Sequence, residues 1–193
     1  MHWRNPSADP AVCTETLPAA TDLRALHRLN PDRYPFLLQS TAVSAELGRY
    51  DILFAVPGAS LVLDEPGQLS GERAGAHSEF LEALDEWWHS ESAATPDADL
   101  PFSGGWFLFL GYELAAEVEP ALALTADTLL PAAFAVRCPA AIIRDHADGS
   151  VVFVAESRSA EQVDMISDDI ADCDAATCLL YTSPRPRYDR RYI

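Results

Sequence analysis

The run AAIIRDHADGSVVFVAES constrains the fold more than any other stretch of this chain. It places Asp148-Gly149 between two β-rich segments. An Asp-Gly pair accepts the positive backbone angles of a two-residue turn, so the flanking runs read as an antiparallel hairpin. AAFAVRC, just before it, reads as a further strand. Upstream, FLLQSTA and RYDILFAVPGASLVLD read as three short strands, with Pro57-Gly58 breaking the second from the third. Between these, DLPFSGGWFLFLGYELAAEVEP holds an apolar run, Trp106 to Leu110, closed by Gly-Tyr-Glu. Five residues are too few to cross a bilayer, and the run reads as a strand buried on both faces. Gly104 and Gly105 lack a Cβ and allow another backbone to approach closely, and Gly111 permits a sharp turn.

Three helices are expected around these strands. TDLRALHRLN puts Leu23, Leu26 and Leu29 on one face and stops near Asn30, ahead of Pro31 and Pro35. HSEFLEALDEWWHSE is the clearest, with Phe80, Leu84, Trp87 and Trp88 at i, i+4, i+7 and i+8 and acids opposite. Ser159 to Gln162 forms a capping box that opens a helix through about Ala171, with Val163, Ile166 and Ile170 on its apolar side. DEPGQLSGERAGA and SAATPDAD read as loops. Residues 1–20, rich in Pro and Ala, are expected to be loosely held, residues 21–180 to form the domain, and the segment 181–193 to lie outside the fold. That last segment sets Arg185, Arg187, Arg190 and Arg191 against Asp189 alone and has no core pattern.

Composition removes several functions. A net charge of −17 argues against nucleic acid and anionic membranes as partners. All 13 basic residues are arginine. The chain therefore supplies no lysine for a Schiff base or a phosphate-binding P-loop. Cys13, Cys138, Cys173 and Cys178 lack C-x-x-C spacing and the five histidines are scattered, so a zinc site is not expected and free thiols are. No secretory signal and no membrane-spanning run are visible, and a cytoplasmic location is expected by default.

Four stretches, in order, carry a family resemblance. YPFLLQS resembles a segment ending Leu-Leu-x-Ser, LGRYDILFAVP a Ser/Gly-Arg-aromatic-Asp/Ser segment, and LPFSGGWFLFLGYEL a Pro-Phe-x-Gly-Gly … Gly-Tyr-Asp/Glu signature. LLPAAFAVRCPAAIIRDHADGSVVFVAE resembles the strands that follow. Together they resemble the N-terminal region of the chorismate-using enzymes, component I of aminodeoxychorismate synthase and component I of anthranilate synthase. Arg49-Tyr50-Asp51 and the Gln39 of Leu-Leu-Gln-Ser lean toward aminodeoxychorismate synthase, because anthranilate synthases usually have Ser and Glu at these two places. The resemblance implies an α+β fold, the N-terminal part of an α/β sandwich of mainly antiparallel sheets with helices outside.

It implies chemistry as well. The parent enzyme takes ammonia from a glutamine amidotransferase partner and, with magnesium, replaces the chorismate 4-hydroxyl, feeding 4-aminobenzoate and folate synthesis. The family's catalytic lysine and metal-binding glutamates lie in a C-terminal half. The expectation is therefore a fragment without catalytic residues or metal ligands, inactive alone. The family's L-tryptophan pocket carries over as Ser40, Leu47, Gly48, Arg49 and Tyr50. Bland readings stand beside these: Ser40 as a polar turn residue, Arg49 with Asp51 as a local salt bridge, Glu113 as a helix-start acid, and His146 as a solvent-exposed turn residue. The alternatives are a fragment of anthranilate synthase component I, or a non-catalytic ligand-binding or interaction module.

Overall fold

A computed structural model describes residues 12–39, 48–65, 68–91, 100–119, 121–122, 130–156 and 163–182. The protein is α+β, with two antiparallel sheets and four helices. Val151–Glu156 (β9) folds back on Ala140–Asp145 (β8) across the Asp148-Gly149 turn, with Ile142 opposite Phe153. Gly149 has φ +76°, the left-handed conformation that the Asp-Gly pair signals. Tyr50–Ala55 (β3) pairs with β8, and Phe36–Leu38 (β2) forms one edge. The opposite edge is Val12–Leu17 (β1), paired with β9 along its whole length. Residues 12–17, expected within a loosely held segment, are thus part of the sheet. Thr14, Glu15 and Thr16 are exposed on this edge, so no apolar pattern announces the strand.

The second sheet has the order Gln68–Ser70 (β5), Ser60–Glu65 (β4), Ala133–Cys138 (β7) and Gly105–Leu110 (β6). Residues 68–70, expected in a polar loop, add a three-residue edge strand. β6 also lies at an edge and is not buried on both faces, as its apolar run suggested. Leu108 is 45% and Leu110 53% exposed. Strand side chains alternate between faces. On one face Phe107 stacks on Phe36 of β2, centroids 4.0 Å apart, joining the edges of the two sheets. On the other, Trp87 of the helix Phe80–Glu91 (α2) packs edge-on against Trp106 at 5.6 Å. Beyond Trp106, a groove of about 280 Å³ between α2 and Leu108 stays open, lined by Leu81, Leu84 and Trp88.

Leu23–Leu29 (α1) starts because Asp22 caps it: Oδ1 accepts from the backbone N–H groups of Arg24 and Ala25 at 2.9 and 3.1 Å. It ends at Asn30, as its leucine spacing and the following prolines indicate. Leu23 and Leu26 are buried, while Leu29 is 45% exposed. A short helix, Ala115–Val118 (α3), follows a 3₁₀ turn at Tyr112–Leu114 after β6, with Glu113 in that first turn. Val163–Thr182 (α4) runs well past Ala171 and buries Ile166, Ile170 and Cys173. The capping box at Ser159–Gln162 lies outside the described residues.

α1 and α4 cover one face of the first sheet, around Leu53, Ile142 and Phe153. α2 covers the second sheet, around Leu61, Leu63 and Ala135. Among the described residues Cys13 and Cys138 are free thiols, and burial pushes that of Cys138 up to about 11. Among the described residues no helix is long and apolar enough to cross a membrane.

The glycines of the Pro-Phe-x-Gly-Gly segment have a specific reason. Gly104 has φ +108°, and a Cβ there would lie 2.4 Å from Oε1 of Glu156. The close neighbour is a carboxylate, not the backbone that the sequence suggested. Gly111 keeps an ordinary φ of −74°, so the turn does not need its freedom. What it lacks room for is a side chain: a Cβ would stand 2.8 Å from the Ala132 carbonyl oxygen.

Candidate functional site

The candidate residues converge where β2 ends and β3 begins. These strands are antiparallel neighbours, with Leu38 opposite Ile52. The register brings the end of Leu-Leu-Gln alongside Arg49-Tyr50-Asp51. Of the five candidate ligand residues, Ser40 and Leu47 lie outside the described residues. Gly48, Arg49 and Tyr50 are in place. Gly48 has φ +88°, which turns the chain into β3 at a backbone angle that a side chain disfavours.

Arg49 does not pair with Asp51, the local salt bridge that their i, i+2 spacing allows. Its guanidinium grips Asp145 at the end of β8, with Nε 3.1 and 3.0 Å from the two carboxylate oxygens and Nη2 2.7 Å from Oδ2. It also lies 4.8 Å from the Tyr50 ring centroid. The backbone N–H of His146 donates to the Arg49 carbonyl at 2.8 Å, extending the ladder toward the hairpin turn. Arg49 thus serves as a strap from β3 to the β8–β9 turn.

The Arg49 hydrogen bond holds the Asp145 carboxyl below the usual carboxylate range, helped by the Ala147 N–H and against the opposing effect of burial. A depressed folded value means that the stabilisation is present above the unfolded value of about 3.9 and is lost as pH falls through the lower folded one. In Arg49→Gln the Asp145 carboxyl is expected to titrate closer to its ordinary value. Carbon-detected NMR titration checks this, and an unchanged Asp145 titration would show that the strap is not the cause.

Asp51 is 6% exposed. Its Oδ2 accepts from the Gln39 side-chain amide at 3.0 Å. Oδ1 is buried and accepts no hydrogen bond, though His146 Nε2 lies 3.1 Å away. His146, expected simply to face solvent, is half-exposed and sits on this carboxylate. Gln39 Oε1 in turn accepts from Arg24 Nε of α1. A line of polar contacts, Arg24–Gln39–Asp51–His146, therefore crosses from α1 through β2 and β3 to the hairpin turn.

The Gln39–Asp51 contact was not legible in the sequence. Glutamate at 39 would set a second carboxylate against buried Asp51, an arrangement that like-charge repulsion disfavours. The amide at 39 instead gives the buried Asp51 carboxylate a donor.

Two further features escaped the sequence reading. Arg137 of β7 is a nearly buried cation that ties both sheets to α2. It donates to Glu91 at 2.9 Å and to the Gly105 carbonyl at 2.7 Å, pairs with Glu156 of β9, and lies 4.6 Å from the Trp106 ring centroid. Beside α1, a groove of about 510 Å³ is bounded by Arg24, His27 and Arg28 on one side and Phe36 and Phe107 on the other. Among the described residues no group of three or more His, Cys, Asp or Glu is placed to hold a metal ion.

No family model matches the chain. Over 109 residues it is 29% identical to anthranilate synthase component 1 of Bacillus pumilus, an alignment covering 54% of this chain and 21% of that protein. Among solved structures, anthranilate synthase component I from Streptococcus pneumoniae aligns with 76% of this chain and 32% of its own, at 18% identity and a TM-score of 0.47. The chain thus spans about a fifth of the length of the curated relative and about a third of the solved one.

Proposed function

We propose that this chain is the N-terminal portion of component I of a chorismate-utilising synthase, which works with a glutamine amidotransferase. The observation that carries this reading is the 109-residue similarity to an anthranilate synthase component 1, together with four family-like segments in register. In such an enzyme the chemistry on chorismate falls to the remainder of the protein, which supplies the lysine and the magnesium ligands. This chain contains no lysine. Its own part is to build one wall of a pocket for an amino acid, L-tryptophan, from Ser40 and Leu47 to Tyr50. Because the Arg49 guanidinium is committed to Asp145, its contribution to that wall is the main chain.

Gln39 and Asp51 favour aminodeoxychorismate synthase, with 4-amino-4-deoxychorismate as product. Their contact makes them a single piece of support. The Bacillus relative favours the second reading, anthranilate synthase. The two products separate the readings: anthranilate forms with release of pyruvate, and aminodeoxychorismate retains the enolpyruvyl group. The complete reading frame, supplied with chorismate, glutamine, magnesium and its amidotransferase, is expected to yield an aminated product without pyruvate. Stoichiometric pyruvate would select the second reading, and unchanged chorismate would remove both. The 193-residue chain alone is expected to leave chorismate untouched even with ammonium and magnesium.

A further inference from the structure

We propose that the groove between α1 and β2 is a binding site for a small carboxylate that has an apolar body and no neighbouring ammonium group. The partners of the arginines single out this groove. In a chain of net charge −17, carboxylates far outnumber arginines. Seven arginines lie among the described residues. Arg33, Arg49, Arg73 and Arg137 pair with Asp169, Asp145, Glu91 and Glu156. Arg144 donates to the backbone carbonyls of Ala19 and Thr21.

Arg24 and Arg28 are the exceptions, and both line the same groove. Arg24 spends only its Nε, on the neutral Gln39 amide, and Arg28 makes no hydrogen bond or ion pair among the described residues. One helical turn apart on α1, they lie on the same side of the helix. His27 stands between them. Its Nδ1 donates to the Tyr34 carbonyl at 2.6 Å, so the ring is held with Nε2 at its outer end. Among the described residues no acid lines the groove. That is the reverse of the general charge of this protein, and it makes an anion the complementary ligand.

The opposite wall sets the rest of the ligand. Phe36 and Phe107 stack at 4.0 Å with their planes 5° apart, and Pro35 and Leu37 complete an apolar surface. An inorganic anion would leave this wall unused. A zwitterionic amino acid would bring an ammonium group for which the lining has no carboxylate. The volume of about 510 Å³ suits a ligand of one ring with a short acid chain. Of the described residues proposed above for the amino-acid wall, none of Gly48, Arg49 or Tyr50 lines this groove.

Calorimetric titration of the 193-residue chain with 3-phenylpropionate tests the proposal, with propionate and L-phenylalanine as comparison ligands. Expected is saturable binding of 3-phenylpropionate that weakens with added salt, and binding roughly tenfold or more weaker for propionate, which lacks the ring, and for L-phenylalanine, which adds the ammonium. Arg28→Gln is expected to weaken 3-phenylpropionate binding by roughly tenfold, and Arg24→Gln with Arg28→Gln to abolish it. Both side chains are on the surface, so circular dichroism of the variants should match the parent. Absence of binding, equal binding of the three ligands, or unchanged affinity in the folded double variant would each overturn the site.

Discussion

Replacing Arg137 by alanine is expected to destabilise the fold by about 3–5 kcal/mol, the usual cost of removing one partner from a buried charge cluster. Its side chain is 9% exposed, and the two carboxylates it serves, Glu91 and Glu156, are each 19% exposed. Without the guanidinium, Glu156 and Glu91 lose this cation, and among the described residues Glu91 keeps Arg73. The Gly105 carbonyl loses a donor and the Trp106 ring loses the cation above it. Against a typical total stability of about 5–15 kcal/mol, this loss is large enough to unfold a sizeable fraction of the protein. Arg137→Lys should rescue little of it, because one ammonium cannot reproduce a planar fork aimed at Glu91, Glu156 and a carbonyl at once. Urea unfolding monitored by tryptophan fluorescence reads the effect. A loss below about 1 kcal/mol for alanine would mean that the cluster is only a surface network.

Replacing Asp169 by alanine comes second, at about 1.5–3 kcal/mol, the range for hydrogen bonds to a charged partner. One oxygen of Asp169 accepts both from Arg33 and from the Tyr34 hydroxyl, the latter at 2.6 Å. Tyr34 is fully buried. Burial pushes its phenol up, as do the hydrogen bond and charge of Asp169, so the ring stays neutral and acts as a donor. The alanine variant strands this hydroxyl and releases Arg33, and α4 loses its polar link to the segment after α1. Tyr34→Phe removes the donor while Asp169 keeps Arg33, and should cost about 1 kcal/mol. Equilibrium unfolding of both variants checks the order. Amide exchange should locate the difference in α4, and an equal loss in the two would show that Arg33 contributes nothing.

Several elements were legible because their signals are local. Asp148-Gly149 marks the hairpin, where Gly149 takes the positive backbone angle and the turn spans residues 146–149 between Asp145 and Ser150. The leucines of α1 and the apolar positions of α2 define one face each, and Pro57-Gly58 separates β3 from β4. The resemblance placed Leu-Leu-Gln and Arg-Tyr-Asp near each other, and the β2–β3 register does so in the structure. β1 and β5 were not legible. Residues 12–17 pair with 151–156, far along the chain, and nothing in VCTETL itself encodes that partner. The run at 106–110 looked fully buried because hydrophobicity reports what a segment can bury, not whether a neighbour arrives to cover it.

The sequence by itself determined several turns, most of the segments that extend or coil, and that no lysine chemistry occurs in it. Turn angles, side-chain period and composition act within a few residues, so a linear reading reaches them. Only the tertiary structure decided which charges meet. Arg49 had Asp51 two residues away and took Asp145 instead, because strand pairing put a better-aligned carboxylate beside its guanidinium. Gln39 met Asp51 across two strands, and Arg137 gathered carboxylates from α2 and β9. Ion pairs and hydrogen bonds depend on separations of a few ångströms and on alignment in space. The register of the sheets sets those separations between residues distant in the chain, and it leaves Arg24 and Arg28 facing a groove with no acid among its described lining residues.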